Sequence, residues 1–282
     1  MSDADLTLHE AAELLGVHYM TAYRYVRLGV LPANKVGGTW QVTAADLRAF
    51  QHGAPAAAEP GNAKRRAPWA ARLEARLMAG DARGAWGVIE AALAAGTELE
   101  DVYLDVITPA MRSIGARWAA GDLDIAVEHR ASGIAHRLIG RLGPRFGRRG
   151  RTRGTVLLGT PPGERHSLPM AMLGDLLRGT GWEVSDIGAD LPVDAFVRAL
   201  QTSPDVTAIG VSISSPEGLE HAPELFAALT EAAPDVPVVV GGVAVRDREH
   251  AVSMGATGYA STAREFAELL DRGGQVAPRA GA

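Results

Sequence analysis

Polar or glycine residues directly follow three apolar, β-rich runs of the sequence. They are Glu164 and His166 after GTVLLGT, Ser212 and Ser214 in VTAIGVSIS, and Gly241 and Gly242 at the end of PVVVGG. In a parallel α/β sheet, ligands bind outside the carboxyl ends of the strands. We therefore expect these six residues to lie at one edge of a sheet, with Glu164 and His166 exposed to a ligand.

The pair Glu164 and His166 could do metal chemistry. A neutral imidazole is a common metal ligand, and its second ring nitrogen needs an orienting partner, which a carboxylate two residues away can supply. The chain has no Cys, which excludes disulfides, thiolate metal sites and cysteine nucleophiles. His, Asp and Glu remain for any metal. A lone loop histidine, however, is more often an ordinary surface residue.

A second set of polar residues lies in WAAGDLDIAVEH, where Trp118 is followed after nine residues by Glu128 and His129. This region is rich in Leu and Ala at helical intervals. Taken alone, Trp118 is best explained as a core residue, and Glu128 with His129 as a pair on a helix surface.

Composition divides the 282 residues into three segments. We predict a DNA-binding module over 1–52, a linker over 53–67, a helical bundle over 68–147 and an α/β domain over 151–275. The linker is rich in Ala, Pro and Gly, and the arginine-rich stretch GPRFGRRGRTRG at 143–154 is predicted to be a second connector. Its arginines at 145–153 could contact DNA, but a solvated connector is the preferred interpretation.

The last two segments have clear periodicities. Apolar residues at helical spacing predict about four packed helices in the middle segment, which end near Gly80, Gly96 and Gly121. Five short β-rich runs alternate with amphipathic helices in the third segment, which predicts a flavodoxin-like, doubly wound parallel sheet.

The first segment predicts a winged helix-turn-helix. Thr7 precedes one amphipathic helix, a second follows Gly16, VGGTW predicts a hairpin at Gly37 and Gly38, and Thr43 caps a third helix. The order of these elements and the sequence motifs within them resemble the DNA-binding modules of excisionases and the MerR superfamily. The resemblance implies operator DNA as a partner, and a recognition helix can read the major groove. Candidate DNA-binding residues are Thr21, Tyr23, Arg24, Arg27 and, beside Trp40 on the wing, Lys35.

The three strand-end motifs of the third segment resemble the cobalamin-binding pattern Asp/Glu-x-His-x-x-Gly, Ser-x-Leu/Thr and Gly-Gly. Two positions depart from it, because Pro169 replaces the glycine and Ser214 stands at the Leu/Thr position. The resemblance implies that His166 binds cobalt in place of the cofactor's benzimidazole and that Glu164 orients it. It also implies that Ser212, Ser214, Gly241 and Gly242 accommodate the nucleotide tail.

The Trp, nine residues, Glu-His spacing resembles the bundle of CarH/LitR-type light-sensing transcriptional regulators. This resemblance implies adenosylcobalamin as cofactor, with Trp118, Glu128 and His129 around its adenosyl group. It further implies a homo-oligomer, tetrameric in the dark, that changes its assembly and DNA binding on illumination. The family's light-state histidine after the tryptophan is Ala119 in this chain.

Three functions follow as hypotheses: a light-responsive cobalamin regulator, a regulator that senses cobalamin level independently of light, and a corrinoid methyl carrier. The helix-turn-helix argues against the carrier, and we expect no enzymatic activity. The net charge of −5 does not oppose DNA binding, which needs only a local basic face. Without a long apolar run or signal peptide, the expected compartment is the cytoplasm and no membrane partner is expected.

Overall fold

The computed structural model divides the chain into two units, Met1–Pro68 and Trp69–Ala282. The residues that the structure describes are 6–15, 22, 25–26, 31–36, 39–51, 67–148 and 150–272.

The first unit is a small α/β module. Its elements are β1 (Leu6–Thr7), α1 (Leu8–Leu15), β2 (Asn34–Val36), β3 (Thr39–Val42) and α2 (Ala44–Gln51). The predicted hairpin is confirmed by the antiparallel pairing of β2 with β3, and β1 adds an unpredicted third strand to the other edge of β3. The core contains Leu8, Ala11, Ala12, Ala22, Leu31, Val42 and Leu47.

Helices α1 and α2 begin at the predicted caps. Thr7 Oγ1 accepts a hydrogen bond from Glu10 N, and the Glu10 carboxylate accepts one from Thr7 N at 2.7 Å, which is a capping box. Thr43 Oγ1 accepts from Asp46 N at 3.1 Å in the same way. The two threonines therefore fix the helix starts.

The first half of the second unit is the predicted helical bundle. Its helices are α3 (Trp69–Met78), α4 (Ala82–Ala94), α5 (Leu99–Asp101), α6 (Thr108–Ala119) and α7 (Ile125–Leu142). A π-helical turn, Val102–Ile107, joins α5 to α6 without a break, so four helical rods result. The predicted helix ends are confirmed, since Gly80, Gly96 and Gly121 each have positive φ directly after a helix.

The second half of this unit is the predicted α/β domain. Its elements are β4 (Thr155–Gly159), α8 (Leu168–Gly179), β5 (Glu183–Asp186), α9 (Val193–Thr202), β6 (Val206–Ser212), α10 (Pro216–Ala232), β7 (Val238–Gly241), α11 (Arg248–Ser253), β8 (Gly258–Tyr259) and α12 (Ala263–Asp271). The strands are parallel in the order β5-β4-β6-β7-β8. This is the flavodoxin-like order, and its topological switch point lies between β4 and β6.

The prediction of a solvated connector over 143–154 is wrong near its start, whereas the described residues of 147–153 are exposed. Phe146 is buried in the bundle core, with its ring centroid 4.8 Å from that of Tyr103. Arg153 pairs with Asp271 at 2.7 Å and stacks over Trp182 at 4.6 Å. An aromatic residue among arginines and glycines gives little periodic signal, yet its burial fixes where the bundle ends.

Among the described residues, no helix combines the length and the apolar character that a bilayer crossing requires.

Candidate functional site

The carboxylate of Glu164 is the centre of the site, and it lies at the switch point of the sheet. Its Oε1 accepts hydrogen bonds from His166 N at 2.9 Å and from the His166 ring at Nδ1. Its Oε2 accepts from the backbone N–H groups of Ser214 and Ser215, which follow β6. One side chain thus ties the loop after β4 to the loop after β6.

The expectation that Glu164 is exposed is wrong, because its side chain is 0% exposed. Burial opposes its ionisation, but the hydrogen bonds from His166 and Ser214 outweigh burial and lower its pKa to about 2. The same hydrogen bond raises the pKa of His166, against a smaller opposing effect of burial. The carboxylate is therefore ionised and holds Nδ1 of His166 as the donor.

The imidazole of His166 is left with one usable nitrogen. Nδ1 is bound to Glu164, and the side chain is 54% exposed, so Nε2 lies on the opposite, open side of the ring. A ring fixed through Nδ1 by a carboxylate presents Nε2 as a metal ligand in a defined orientation. The geometry is that of a metal-ligating histidine with its orienting partner.

Two further residues hold the loop that carries His166. Thr160 is fully buried; its Oγ1 donates to Glu164 O at 2.6 Å and accepts from Asp190 N at 2.9 Å. Asp190 Oδ1 accepts from Gly163 N at 2.7 Å. Neither Thr160 nor Asp190 belongs to a motif that identifies a ligand site, so neither was predicted as a site residue. Pro169 lies in the first turn of α8, where its missing N–H leaves no hydrogen bond unmade.

The remaining strand-end residues lie on β6 and β7. Ser212 is buried at the end of β6 and pairs with Gly241 on β7. A Cβ on Gly241 would lie 2.5 Å from Ala260 O, and one on Gly242 would lie 2.2 Å from Ile213 O. The two glycines are therefore required by the close approach of the chain's own backbone, whatever they also provide for a ligand.

We expect Gly242→Ala to destabilise the second unit by about 2 kcal/mol or more, because φ is +102° and the added methyl meets backbone rather than a flexible side chain. Gly87→Ala is the matched control: this exposed glycine within α4 has nothing within 4 Å of a built Cβ, and the change is expected to be neutral or slightly stabilising. Thermal unfolding of both variants measures the difference. Equal melting temperatures would contradict this account of Gly242.

The bundle contributes a second carboxylate–imidazole pair, on α7. Glu128 Oε2 lies 2.7 Å from His129 Nδ1, and Glu128 Oε1 accepts from Ser132 Oγ at 2.6 Å. After Glu164, the charges of Glu128 and of Glu217 also help to raise the pKa of His166. Glu128 shares one face of α7 with Ser132 and with His136, which lies 3.3 Å from Ser167, so this face is directed towards the loop of His166.

Contacts along α7 and around its first turn complete the bundle side of the site. His136 Nε2 lies 3.3 Å from Ser167 Oγ, next to His166, and His129 is 73% exposed. Trp118 and Ile125, at the α6–α7 turn, are each 43% exposed. A core position for Trp118 is therefore wrong, and the turn presents apolar surface to solvent. Ser132, His136 and Ser167 were not predicted as site residues, and no motif marks them.

Of the five predicted DNA-binding residues, the structure describes only Lys35. Thr21, Tyr23, Arg24 and Arg27 lie outside the described residues. Lys35 is on β2, with its backbone paired to Trp40 on β3. Trp40 is partly buried against the core of the first unit.

Comparison with known families identifies the domains. Residues 6–54 match a helix-turn-helix domain, residues 69–142 match a B12 binding domain, and residues 154–268 match another B12 binding domain family. The chain thus joins a helix-turn-helix to a helical and an α/β B12-binding domain, which imply a cobalamin cofactor.

Two transcriptional repressors of Myxococcus xanthus are similar to this chain. The HTH-type transcriptional repressor CarA is 34% identical over 185 residues, which are 61% of this chain and 58% of CarA. The HTH-type transcriptional repressor CarH is 30% identical over 184 residues, 64% of this chain and 60% of CarH. The chain therefore spans about three-fifths of the length of each repressor.

The monomethylamine corrinoid protein of Methanosarcina barkeri has a similar fold. Its structure aligns with a TM-score of 0.63 at 19% identity over 70% of this chain and 94% of that one.

The donor set fits a corrinoid better than a bare ion. Within the described ranges, no three His, Asp or Glu side chains gather into a group that could hold a metal ion. A corrin ring supplies the four equatorial nitrogens itself, so a single oriented imidazole is sufficient as the protein's contribution. His166 with Glu164 provides this ligand.

Proposed function

We propose that this protein is a cytoplasmic, light-responsive transcriptional regulator that binds adenosylcobalamin. The observation that carries the proposal is the buried Glu164 carboxylate, which fixes His166 through Nδ1 and leaves Nε2 open at the switch point of the sheet. The similarity to CarA and CarH and the helix-turn-helix at 6–54 support a regulator over a methyl carrier. On this proposal the chain divides into 1–52, 53–67, 68–147 and 151–275, as its sequence suggests.

The residues of the second unit have distinct roles in this proposal. His166 would bind the cobalt through Nε2, and Glu164 holds the ring in a fixed orientation through Nδ1. Ser212 and Ser214, with Gly241 and Gly242, line the slot for the nucleotide tail. When bound, the cofactor supplies a cobalt–carbon bond that light can break.

The bundle senses the group on the opposite face of the corrin in this proposal. Trp118 offers an exposed indole to pack against a bulky upper group, and Glu128, fixed by Ser132, is an acceptor for ribose hydroxyls. His129 completes this pocket. Because the bundle packs on α8, a change in what these residues contact alters the bundle's preferred position, and a few kcal/mol of difference suffices to shift an assembly equilibrium.

The output in this proposal is DNA binding by the first unit. Arg24 and Arg27 contact phosphates or guanine edges from the recognition helix, with Thr21 and Tyr23 beside them and Lys35 on the wing. A homo-oligomer, tetrameric in the dark, places several such modules on repeated half-sites.

The deciding experiment compares operator retardation by the cobalamin-loaded protein in darkness and after green light, with absorption spectra of the same samples. We expect the cobalt–carbon spectrum to be lost and DNA to be released together. Photolysis with unchanged retardation would contradict light control of DNA binding.

A light-independent sensor of cobalamin level is the second candidate, because Ala119 replaces the histidine of the resembling family. Operator binding in darkness with adenosylcobalamin, methylcobalamin or no cofactor distinguishes the two. Dependence on the cofactor with no effect of light favours this second candidate.

A further inference from the structure

The bundle and the α/β domain share an apolar interface on α8. Leu168, Ala171, Met172 and Leu176 lie on one face of this helix and pack against the bundle core. The hydrophobic effect is non-directional, so its stabilising free energy depends on the apolar area buried more than on the exact position of the two surfaces. A directional contact is needed to fix where along α8 the bundle sits.

A buried hydrogen-bonded group supplies that direction. Tyr103 is 0% exposed, and its hydroxyl donates to Asp175 Oδ2 on α8 at 2.8 Å. Asp175 is also buried, and its Oδ1 accepts a hydrogen bond from the Arg178 guanidinium at a distance of 3.0 Å. Buried hydrogen bonds to a charged partner are stronger and more directional than neutral ones.

The backbone around this group is shaped to admit it. Tyr103 lies in the π-helical turn, and its carbonyl accepts hydrogen bonds from both the backbone N–H of Thr108 and, at 2.8 Å, the Thr108 hydroxyl. Gly143, directly after α7, lies so close that a Cβ would be 2.9 Å from Asp175 Oδ2. The chain therefore makes room for the carboxylate from both sides of the interface.

The same two helices carry the candidate cofactor site at their other ends. α8 begins two residues after His166, and α7 carries Glu128 in its first turn and ends beside Asp175. At 1.5 Å per residue, Asp175 lies about 10 Å along the helix axis from Leu168, where α8 begins. A slip or tilt at Asp175 is therefore transmitted to the separation of Glu128 from His166.

We propose that Tyr103 and Asp175 are positioning residues of the cofactor site: their hydrogen bond fixes the register of the bundle on α8 and thereby sets the room above the corrin for the upper group. This inference rests on the proposed function, since it concerns the cobalamin site. It assigns neither residue a contact with the cofactor.

The test measures the affinities of Tyr103→Phe for two corrinoids in darkness. Phe keeps the ring packed on Phe146 and removes the hydroxyl alone. We expect affinity for adenosylcobalamin to fall about tenfold, the worth of one such hydrogen bond, and affinity for hydroxocobalamin to fall less than about threefold. The small hydroxo group of hydroxocobalamin should fit whatever the exact position of the bundle on α8. The bulky adenosyl group of adenosylcobalamin should fit only when the bundle is correctly positioned.

Two further variants sharpen the test. Asp175→Asn keeps an acceptor for Tyr103, so its discrimination between the two corrinoids should stay nearer to wild type than that of Tyr103→Phe. Arg264→Ala removes exposed ion pairs with Glu100 and Asp101 at the same interface, 3.0 and 3.2 Å long, and should leave discrimination unchanged.

Equal losses for both corrinoids, or no loss, in folded Tyr103→Phe would overturn the positioning role while leaving the proposed function intact. Wild-type protein that binds neither corrinoid would instead overturn the proposed function, and this inference with it.

Discussion

His166→Ala is expected to lower the affinity for adenosylcobalamin by at least about tenfold and to change the coordination of any cobalamin that still binds. Nε2 of His166 is the open nitrogen that the Glu164 carboxylate orients, and alanine leaves the lower face without a protein ligand. Loss even of an orienting partner costs 10- to 100-fold at metal sites, so loss of the ligand itself should cost no less.

Equilibrium dialysis and absorption spectra in darkness measure the two effects of His166→Ala. His221→Ala is the matched control, because this histidine is exposed on α10 and has no place in the proposed site. Unchanged affinity and an unchanged spectrum in His166→Ala would refute cobalt ligation by this residue.

Glu164→Gln is expected to destabilise the α/β domain by about 3 kcal/mol at neutral pH. The pKa of Glu164 is lowered from its ordinary value of 4.5 to about 2, and each pKa unit corresponds to about 1.4 kcal/mol. Gln offers one acceptor oxygen and turns an amide N–H₂ towards backbone donors, so some of the N–H groups of His166, Ser214 and Ser215 lose their partner.

The pH dependence of this effect has a defined sign. A lowered carboxyl pKa contributes stability that is complete above pH 4.5 and is lost as the pH falls from 4.5 towards 2. The raised pKa of His166 contributes stability below pH 6.5 that is lost as the pH rises through its folded value. Wild type should therefore lose more stability than Glu164→Gln in the acid range.

Thermal melts of both proteins between pH 2.5 and 8, with NMR titration of His166, are the measurement. Glu164→Asp keeps the charge but shortens the reach to Ser214 and Ser215, and should retain part of the stability. Parallel pH profiles for wild type and Glu164→Gln would show that the carboxylate is not ionised in the way described.

Elements with strong periodicity were predictable from sequence. Along α7, Ala131, Ile134, Ala135, Leu138, Ile139 and Leu142 are buried at helical spacing, and that spacing is visible in the sequence. The central strands β4, β6 and β7 are equally clear, because strands covered on both faces are mostly apolar, whereas the edge strand β5 contains Glu183, Ser185 and Asp186. Because His166, Ser214 and Gly242 each follow one of these strands, the sequence predicts that they lie at the carboxyl edge of the sheet.

Features that depend on contacts between distant segments were not predictable. The two-residue strand β1 exists because β3 offers it an edge, and the π-helical turn is tied to the distant contact of Tyr103 with Asp175. The burial of Glu164 is set by a loop 50 residues away. A carboxylate in a loop is predicted to be exposed when its hydrogen-bond partners lie in a distant loop, because the sequence does not show that the two loops meet.

The network around Glu164 also bears on how fast a ligand is captured. A binding loop that is disordered when empty must surrender conformational freedom upon association, and this cost is subtracted from the affinity. Here Thr160, Asp190 and the backbone N–H groups of Ser214 and Ser215 hold the loop through hydrogen bonds within the chain itself. Binding of a corrinoid should therefore require little rearrangement of the loop that carries His166. Any slow conformational step during uptake should occur in the helical bundle.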